Sequence, residues 1–337
     1  MKKILVTGGA GYIGSHTVVE LIEAGFDPII VDNYSNSNPT VIENLEKLCQ
    51  QKISNYNIDC TNEQALSEVF SKHTIFGVIH FAAYKAVGES VEQPLKYYEN
   101  NIGSLVSLLK VMERFKVDNL VFSSSCTVYG QPDSLPVSEN AAIVQANSPY
   151  GYTKQVCENI LIDSIHANKS FSAVLLRYFN PIGAHSSALI GELPIGIPNN
   201  LVPFITQTGA GWRESLTVFG DDYNTPDGTC IRDYIHVVDL AKAHVKAIEW
   251  MEKSDEKIGI FNIGTGNGIS VLEAIHAFEK KSKTKLNYKI GPRRPGDVEQ
   301  IWASSQKAED TLHWKAQYSI EDAMEHAWKW QLTLKKQ

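Results

Sequence analysis

The segment Thr7-Gly8-Gly9-Ala10-Gly11-Tyr12-Ile13-Gly14 constrains this chain more than any other. It follows a short β-branched run, Ile4-Leu5-Val6, and opens a stretch from Tyr12 to Glu23 with helical apolar spacing. A strand that turns through glycine into a helix presents unpaired backbone N–H groups and the positive end of a helix dipole. Together these hold an anion such as a pyrophosphate. Gly8 permits the tight turn, Gly11 lets backbone amides approach the phosphates, and Gly14 lets the helix pack closely. Asp32 ends the next apolar run, Ile29-Ile30-Val31, 18 residues after Gly14. An acid at that place accepts hydrogen bonds from the ribose hydroxyls of an adenosine and repels a 2′-phosphate, so the pattern predicts NAD rather than NADP. The plainer alternative is a structural turn whose acid caps a helix.

The first half continues the alternation. Further strands are predicted over 53–58, 77–81, 119–123 and 173–177, with helices over 40–51, 63–73 and 95–115. That spacing predicts an α/β fold, a doubly wound parallel sheet of Rossmann type covered on both faces. After Asn180 the chain becomes rich in Pro, Gly and Asn, which predicts a smaller lobe over the open edge of the sheet. The expected division is a dinucleotide-binding domain over 1–180, rejoined at 231–265, and a lobe made of 181–230 and 266–337. The string Gly264 to Gly268 reads as a turn before a helix capped by Ser270 rather than as a second phosphate loop.

Composition narrows the partners. With 31 Lys plus Arg against 38 Asp plus Glu, the net charge of −7 leaves no basic excess for a nucleic acid. Cys49, Cys60, Cys126, Cys157 and Cys230 are odd in number and scattered, which predicts reduced buried thiols and no metal site. The apolar run after Lys2-Lys3 is too short for a signal peptide, and nothing reaches the length of a membrane span. A soluble cytoplasmic protein is expected.

Tyr150 and Lys154 lie four apart in SPYGYTKQVCENILIDSIHA, a stretch with helical spacing, so phenol and ammonium share a face. A tyrosine near its ordinary value of about 10 is a poor base at neutral pH, and a nearby cation stabilises the phenolate. Ser123-Ser124-Ser125 ends the preceding strand, at the carboxyl edge where doubly wound sheets bind ligands. A serine there can share a proton between a substrate alcohol and Tyr150. Alone, the pair would read as a surface tyrosine beside a solvated lysine. The glycine loop, Asp32 and the serine strand end, in order, argue otherwise.

TGGAGYIGSH, the acid at Asp32, HFAAYKAVGESV, FSSSCTVYG, SPYGYTK, LRYFNPIGAH, GIPNNLVP, GTCIRDYIHV and PRRPGD resemble the extended short-chain dehydrogenase/reductases. In order and spacing they are similar to the UDP-glucose 4-epimerase family over nearly the whole chain. The resemblance implies an isomerase with tightly held NAD, transiently reduced, that inverts carbon 4 of UDP-galactose and UDP-glucose through a 4-keto sugar. It implies Tyr150, Lys154 and Ser125 as catalytic residues. The implied NAD contacts are Gly8, Gly11, Tyr12, Ile13 and Gly14, then Asp32, Asn33, Asn36 and Ser37, then Asp59 and Cys60. They continue with Phe81, Ala82, Ala83, Lys85 and Asn100, and end with Ser125, Tyr150, Lys154 and Phe179. For the UDP-sugar the resemblance implies Ser125, Tyr150, Asn180, Asn200, Leu201, Thr217, Val218, Phe219, Arg232, Arg294 and Asp297. The motif favours Arg294 over Arg293. Ile301 stands where a bulky aromatic in relatives excludes N-acetylhexosamines, so some activity on those nucleotides is expected.

Two rivals remain. A nucleotide-sugar 4,6-dehydratase shares the glycine loop and the Tyr–Lys pair, but its pattern carries an Asp-Glu pair where this chain has Cys126-Thr127. A non-catalytic NAD-sensing protein would have lost the tyrosine, the lysine or the sugar loops. The stripes Leu95, Tyr98, Ile102, Leu105, Leu109, Met112 and Val156, Ile160, Leu161 are mostly core by periodicity. The resemblance pairs two such helices from each subunit, which implies a homodimer. His16, His80, His185 and His236 read as packing residues.

Overall fold

The apolar runs of the first half become one parallel sheet in the computed structural model, which describes residues 1–294 and 297–335. Pro295 and Gly296 of the PRRPGD motif lie outside the described residues. The strands are β1 (Lys3–Thr7), β2 (Asp27–Asp32), β3 (Ser54–Asn57), β4 (Ile75–His80), β5 (Asn119–Ser125) and β6 (Ser172–Tyr178). A seventh strand, Ile258–Ile263, pairs with β6, and the order across the sheet is Ile258–Ile263, β6, β5, β4, β1, β2, β3. Period-2 side-chain alternation sends Ile4, Val6, Ile30 and Val121 to one face and Leu5, Ile29, Val31 and Leu120 to the other, each into its own apolar cluster. That is the doubly wound arrangement the alternation predicts.

The Tyr12–Glu23 helix starts and ends where its spacing places it. The single helix expected over 95–115 is instead three pieces: Pro94–Tyr97, a wide π turn at Tyr98–Ile102, and Gly103–Phe115. The turn accommodates Asn101, whose side chain accepts from the Tyr84 N–H at 2.9 Å and donates to the Tyr84 carbonyl at 3.0 Å. Apolar periodicity cannot see such a polar pairing, and π turns gather where function interrupts a helix.

A separate apolar cluster, built from Ile205, Val218, Ile275, Phe278 and Met324 among others, forms the core of the smaller lobe. The chain returns to the sheet through the helix Val237–Met251 and the strand Ile258–Ile263. One stretch departs from the expected division. Ala308, Leu312 and Trp314, assigned to the lobe by position, pack into the sheet's own cluster, and the Trp314 indole donates to the Asp239 carbonyl. Gly264 to Gly268 is indeed a turn. Its Thr265 and Gly266 N–H groups donate to Asp233, and Ser270 caps the next helix in a reciprocal box with Glu273. The anion held by this glycine string is the chain's own carboxylate. All five cysteines are free, and no described helix is long and apolar enough to cross a membrane.

Candidate active site

β1 has β2 on one side and β4 on the other, so the loops after β1 and β4 diverge and leave a crevice at the carboxyl edge. There a cleft of about 520 Å³ opens. The glycine loop forms its floor. Gly8 has φ +68, and a Cβ on it would stand 2.9 Å from the Ala82 nitrogen. A Cβ on Gly14 would run into the Gly8 carbonyl oxygen and lie 2.8 Å from Gly9 Cα. Only glycine fits either place, and the bare backbone that results is a cradle for phosphate at a helix N-terminus.

Asp32 is buried at the end of β2. Its Oδ2 accepts from the Ala10 N–H at 3.0 Å, and its Oδ1 accepts from the Tyr34 N–H at 2.9 Å and the Ser37 hydroxyl at 3.0 Å. Three of about four acceptor positions are in use. That leaves room for a hydroxyl and none for a phosphate. The chain's residues therefore fit an unphosphorylated adenosine ribose above a pyrophosphate cradle. Asn33, Asn36, Ser37, Asp59, Cys60, Phe81, Ala82, Ala83, Lys85 and Asn100 all line this cleft, as do Tyr12, Ile13, Tyr150 and Lys154. Ser125 and Phe179 lie beside it, outside its lining.

Ser148 caps the helix Pro149–Ala167 by accepting from the Gly151 N–H, which sets Tyr150 and Lys154 in its first turns. Both side chains are buried. The Lys154 ammonium donates to the Ser123 carbonyl at 2.6 Å and lies 4.9 Å from the Phe122 ring centre. Burial pulls it down to about 8. Burial also pushes the Tyr150 phenol well above its ordinary value, reinforced by Tyr178 and opposed by the Ser125 hydroxyl. In the chain alone, burial outweighs the lowering expected of a nearby cation. The ammonium is turned to a carbonyl on β5 rather than to the phenol, so the chain alone holds Tyr150 as a proton donor. Ser125 ends β5 and accepts from the Thr127 N–H at 3.2 Å. Next to it, burial pushes the Cys126 thiol up to about 12, which keeps it protonated and inert at neutral pH.

The residues expected at the sugar-nucleotide end fall into two groups. Arg294 grips Asp297 with two donors, at 3.1 and 2.7 Å, and its guanidinium lies 5.7 Å from the Phe219 ring centre. Arg232 approaches the same carboxylate at 3.7 Å. Arg293 pairs instead with Asp222 at 2.7 Å. Thr217, Val218 and Phe219 form the strand Leu216–Phe219, and the Asn180 N–H donates to the carbonyl of Asp233, next to Arg232. Leu201 packs into the lobe's core. Asn200 stands apart from this cluster, inside the cleft.

Sequence reasoning missed Glu192, whose Oε1 accepts from the Asn200 amide at 2.6 Å and pairs with Lys85 at 3.1 Å. It also missed Tyr178, which pairs with the Ser123 hydroxyl at 2.6 Å and lines the cleft. Glu192 sits in none of the quoted motifs, whereas Tyr178 sits within LRYFNPIGAH beside Phe179, a signal that could have found it. The histidines are packing groups: His80 pairs with the Thr7 hydroxyl at 2.7 Å, and His16 pairs with the Tyr12 carbonyl at 2.7 Å.

Comparison with known proteins agrees with this geometry. A family profile described as GDP-mannose 4,6 dehydratase matches residues 5–327. The UDP-glucose 4-epimerase of Dictyostelium discoideum is 50% identical over 329 residues, 98% of this chain and 95% of its own. The UDP-glucose 4-epimerase from Bifidobacterium longum, solved in complex with NAD+ and UDP, superposes with a TM-score of 0.95 at 47% identity, covering 98% of each chain. The UDP-glucose 4-epimerase of Stenotrophomonas maltophila, solved with bound NAD and formylated UDP-arabinopyranose, gives 0.96 at 45% identity, covering 99% of this chain and 98% of that one.

Proposed function

The chain belongs to the UDP-glucose 4-epimerase family, and on that premise we propose that it interconverts UDP-galactose and UDP-glucose by inverting carbon 4 through a 4-keto sugar, with NAD as its resident cofactor. The observation that carries this reading is Tyr150 and Lys154 on one helix, beside Ser125, at the inner end of a cleft whose glycine floor and Asp32 suit NAD. The chemistry that bound NAD supplies is reversible two-electron redox at carbon 4, with a positive nicotinamide charge in the oxidised form. Gly8, Gly11 and Gly14 would cradle its pyrophosphate, Asp32 would hold the adenosine ribose, and Lys154 would hold the nicotinamide ribose.

Tyr150 exchanges the proton of the 4-hydroxyl, and Ser125 relays it. The buried phenol favours the donor role, which suits return of a proton to the ketone oxygen. Arg232, Arg294 and Asp297 grip the nucleotide end, with Phe219 against the uracil. Firm grip there leaves the hexose free to present either face. The division of labour follows the two cores. Residues 1–180 and 231–265 carry the cofactor, and the lobe of 181–230 and 266–337 carries the UDP-sugar, with 306–316 packed back on the sheet. The protein acts in the cytoplasm as a homodimer, for which Leu95 and Tyr152 are exposed on neighbouring helices while Leu105 and Met112 are taken up by the sheet.

The 4,6-dehydratase alternative lacks support at the residues that distinguish it. Cys126 and Thr127 occupy the turn after Ser125, and neither supplies the carboxylic acid that loss of water needs. Ile301 is buried with Tyr129 and Phe179, and its size favours a side activity on UDP-N-acetylhexosamines. Ile301→Tyr should abolish that activity while leaving UDP-galactose turnover in place.

The test is incubation of the purified protein with UDP-galactose and no added cofactor, followed by proton NMR of the sugar. UDP-glucose should appear until the isomers reach a fixed ratio. Tyr150→Phe should slow kcat about 100-fold or more, the usual weight of a proton-transfer group. An unchanged spectrum, even with NAD added, would refute the assignment.

A further inference from the structure

One buried acid has no part in the reaction as described. Glu158 lies one turn beyond Lys154 on the helix that begins at Pro149, so Tyr150, Lys154 and Glu158 recur at four-residue intervals along one face. Its Oε1 accepts from the Ser124 hydroxyl at 2.5 Å and from Arg177 Nε at 2.9 Å, and its Oε2 accepts from Arg177 Nη2 at 2.6 Å. The two charged side chains are 2% and 3% exposed. The third guanidinium nitrogen, Arg177 Nη1, donates to the Tyr129 oxygen at 3.0 Å, and the Tyr129 hydroxyl donates to Asn262 at 2.7 Å.

A fully buried ion pair gives little net stability over a well-packed apolar replacement, so its presence here asks for another reason. The placement supplies one. Ser124 is bonded to Glu158, and the carbonyl of Ser123 takes the Lys154 ammonium one turn away on the same helix. Two successive residues of β5 are thereby fastened to two successive turns of the helix that carries Tyr150. The next residue of β5 is Ser125. Arg177 from β6, and Tyr129 in the turn after Ser125, brace the same point from the other side.

We propose that Glu158 and Ser124 are positioning residues, which set the helix of Tyr150 and Lys154 against Ser125 at the end of β5. This rests on the roles given above to those three groups. Neither Glu158 nor Ser124 lines the cleft; each acts through its neighbours.

Ser124→Ala is the decisive variant, because it deletes one hydroxyl and leaves the Glu158–Arg177 pair intact. In the holoenzyme, kcat with UDP-galactose should fall about tenfold or more, since small misplacements of reacting groups are costly. KM should stay within about twofold, and NAD should survive gel filtration to the same extent as in the wild type measured alongside. A crystal structure of the variant should show the Lys154–Ser123 contact, 2.6 Å here, opened beyond about 3.5 Å, the limit of a hydrogen bond. Glu158→Gln should lower the melting temperature sharply, because it strands a buried guanidinium. A wild-type kcat in Ser124→Ala, or an intact contact, overturns the positioning role. So does a fall in activity that comes only with lost NAD or a raised KM. A wild type that leaves UDP-galactose unconverted refutes the reaction assignment instead, and the contact then decides the positioning role alone.

Discussion

Lys154 should cost the protein stability, and Lys154→Met measures how much. The ammonium is 4% exposed and is held at about 8, against 10.5 for an ordinary lysine. At pH 7 the side chain is charged in both folded and unfolded chains, but the folded chain bears the burial. At 1.36 kcal/mol per pH unit, the gap from 10.5 to about 8 corresponds to about 3 kcal/mol. Because the folded value is the lower one, the unfolded chain binds more protons between about pH 8 and pH 10.5. Wild-type stability therefore gains from this group as pH rises through that window.

Methionine has no such term, though it leaves the Ser123 carbonyl without its ammonium donor, a loss of about 1–3 kcal/mol. The variant should be catalytically dead, yet as stable as the wild type or more stable by up to about 2 kcal/mol at pH 7. Denaturant unfolding of the cofactor-free proteins, measured from pH 7 to 10.5, reads this directly. The stability difference should move by about 3 kcal/mol in favour of the wild type across the window. A difference that stays flat with pH would mean that the ammonium is not desolvated as its burial implies.

Gly14→Ala should lose NAD on gel filtration and be destabilised by about 3 kcal/mol or more, since its Cβ runs into the Gly8–Gly9 backbone, which is not free to yield. Retention of the cofactor at wild-type occupancy would contradict the cradle. Asp32→Asn removes the charge that repels a 2′-phosphate. Its preference for NAD over NADP, read by titration of the stripped protein, should fall about tenfold or more. An unchanged preference would place the discrimination elsewhere.

Legibility in the sequence followed the reach of each signal. The strand–glycine–helix unit and the acid at Asp32 were readable because backbone sterics tie those residue types to fixed local spacings. The pairing of Tyr150 with Lys154 was readable as an i, i+4 relation. Their electrostatics were not, because what fixes the Lys154 ammonium is a carbonyl 31 residues away on β5. The broken helix after Pro94 escaped for a similar reason: Asn101 answers to the backbone of Tyr84 rather than to its own helical neighbours. Glu192 ties Lys85 to Asn200 across a separation that no periodicity spans. Ala308, Leu312 and Trp314 pack with the sheet's cluster, a placement that chain position, the one guide available in the sequence, does not reveal.

The return of the chain to the sheet has a consequence for synthesis. Until Ile258–Ile263 is made, the two edges of the growing sheet differ in kind. β3, SNYN, is short and polar, and a permanent edge of that sort is safe in water. β6, SAVLLRY, is buried and apolar, and its outer partner Ile258–Ile263 emerges about 80 residues later. At ribosomal rates of about 5–20 residues per second, a sticky strand waits roughly 4–16 seconds for its cover. A nascent chain of this protein is therefore most exposed to misassociation while its smaller lobe is being made, and that interval is where a chaperone has most to do.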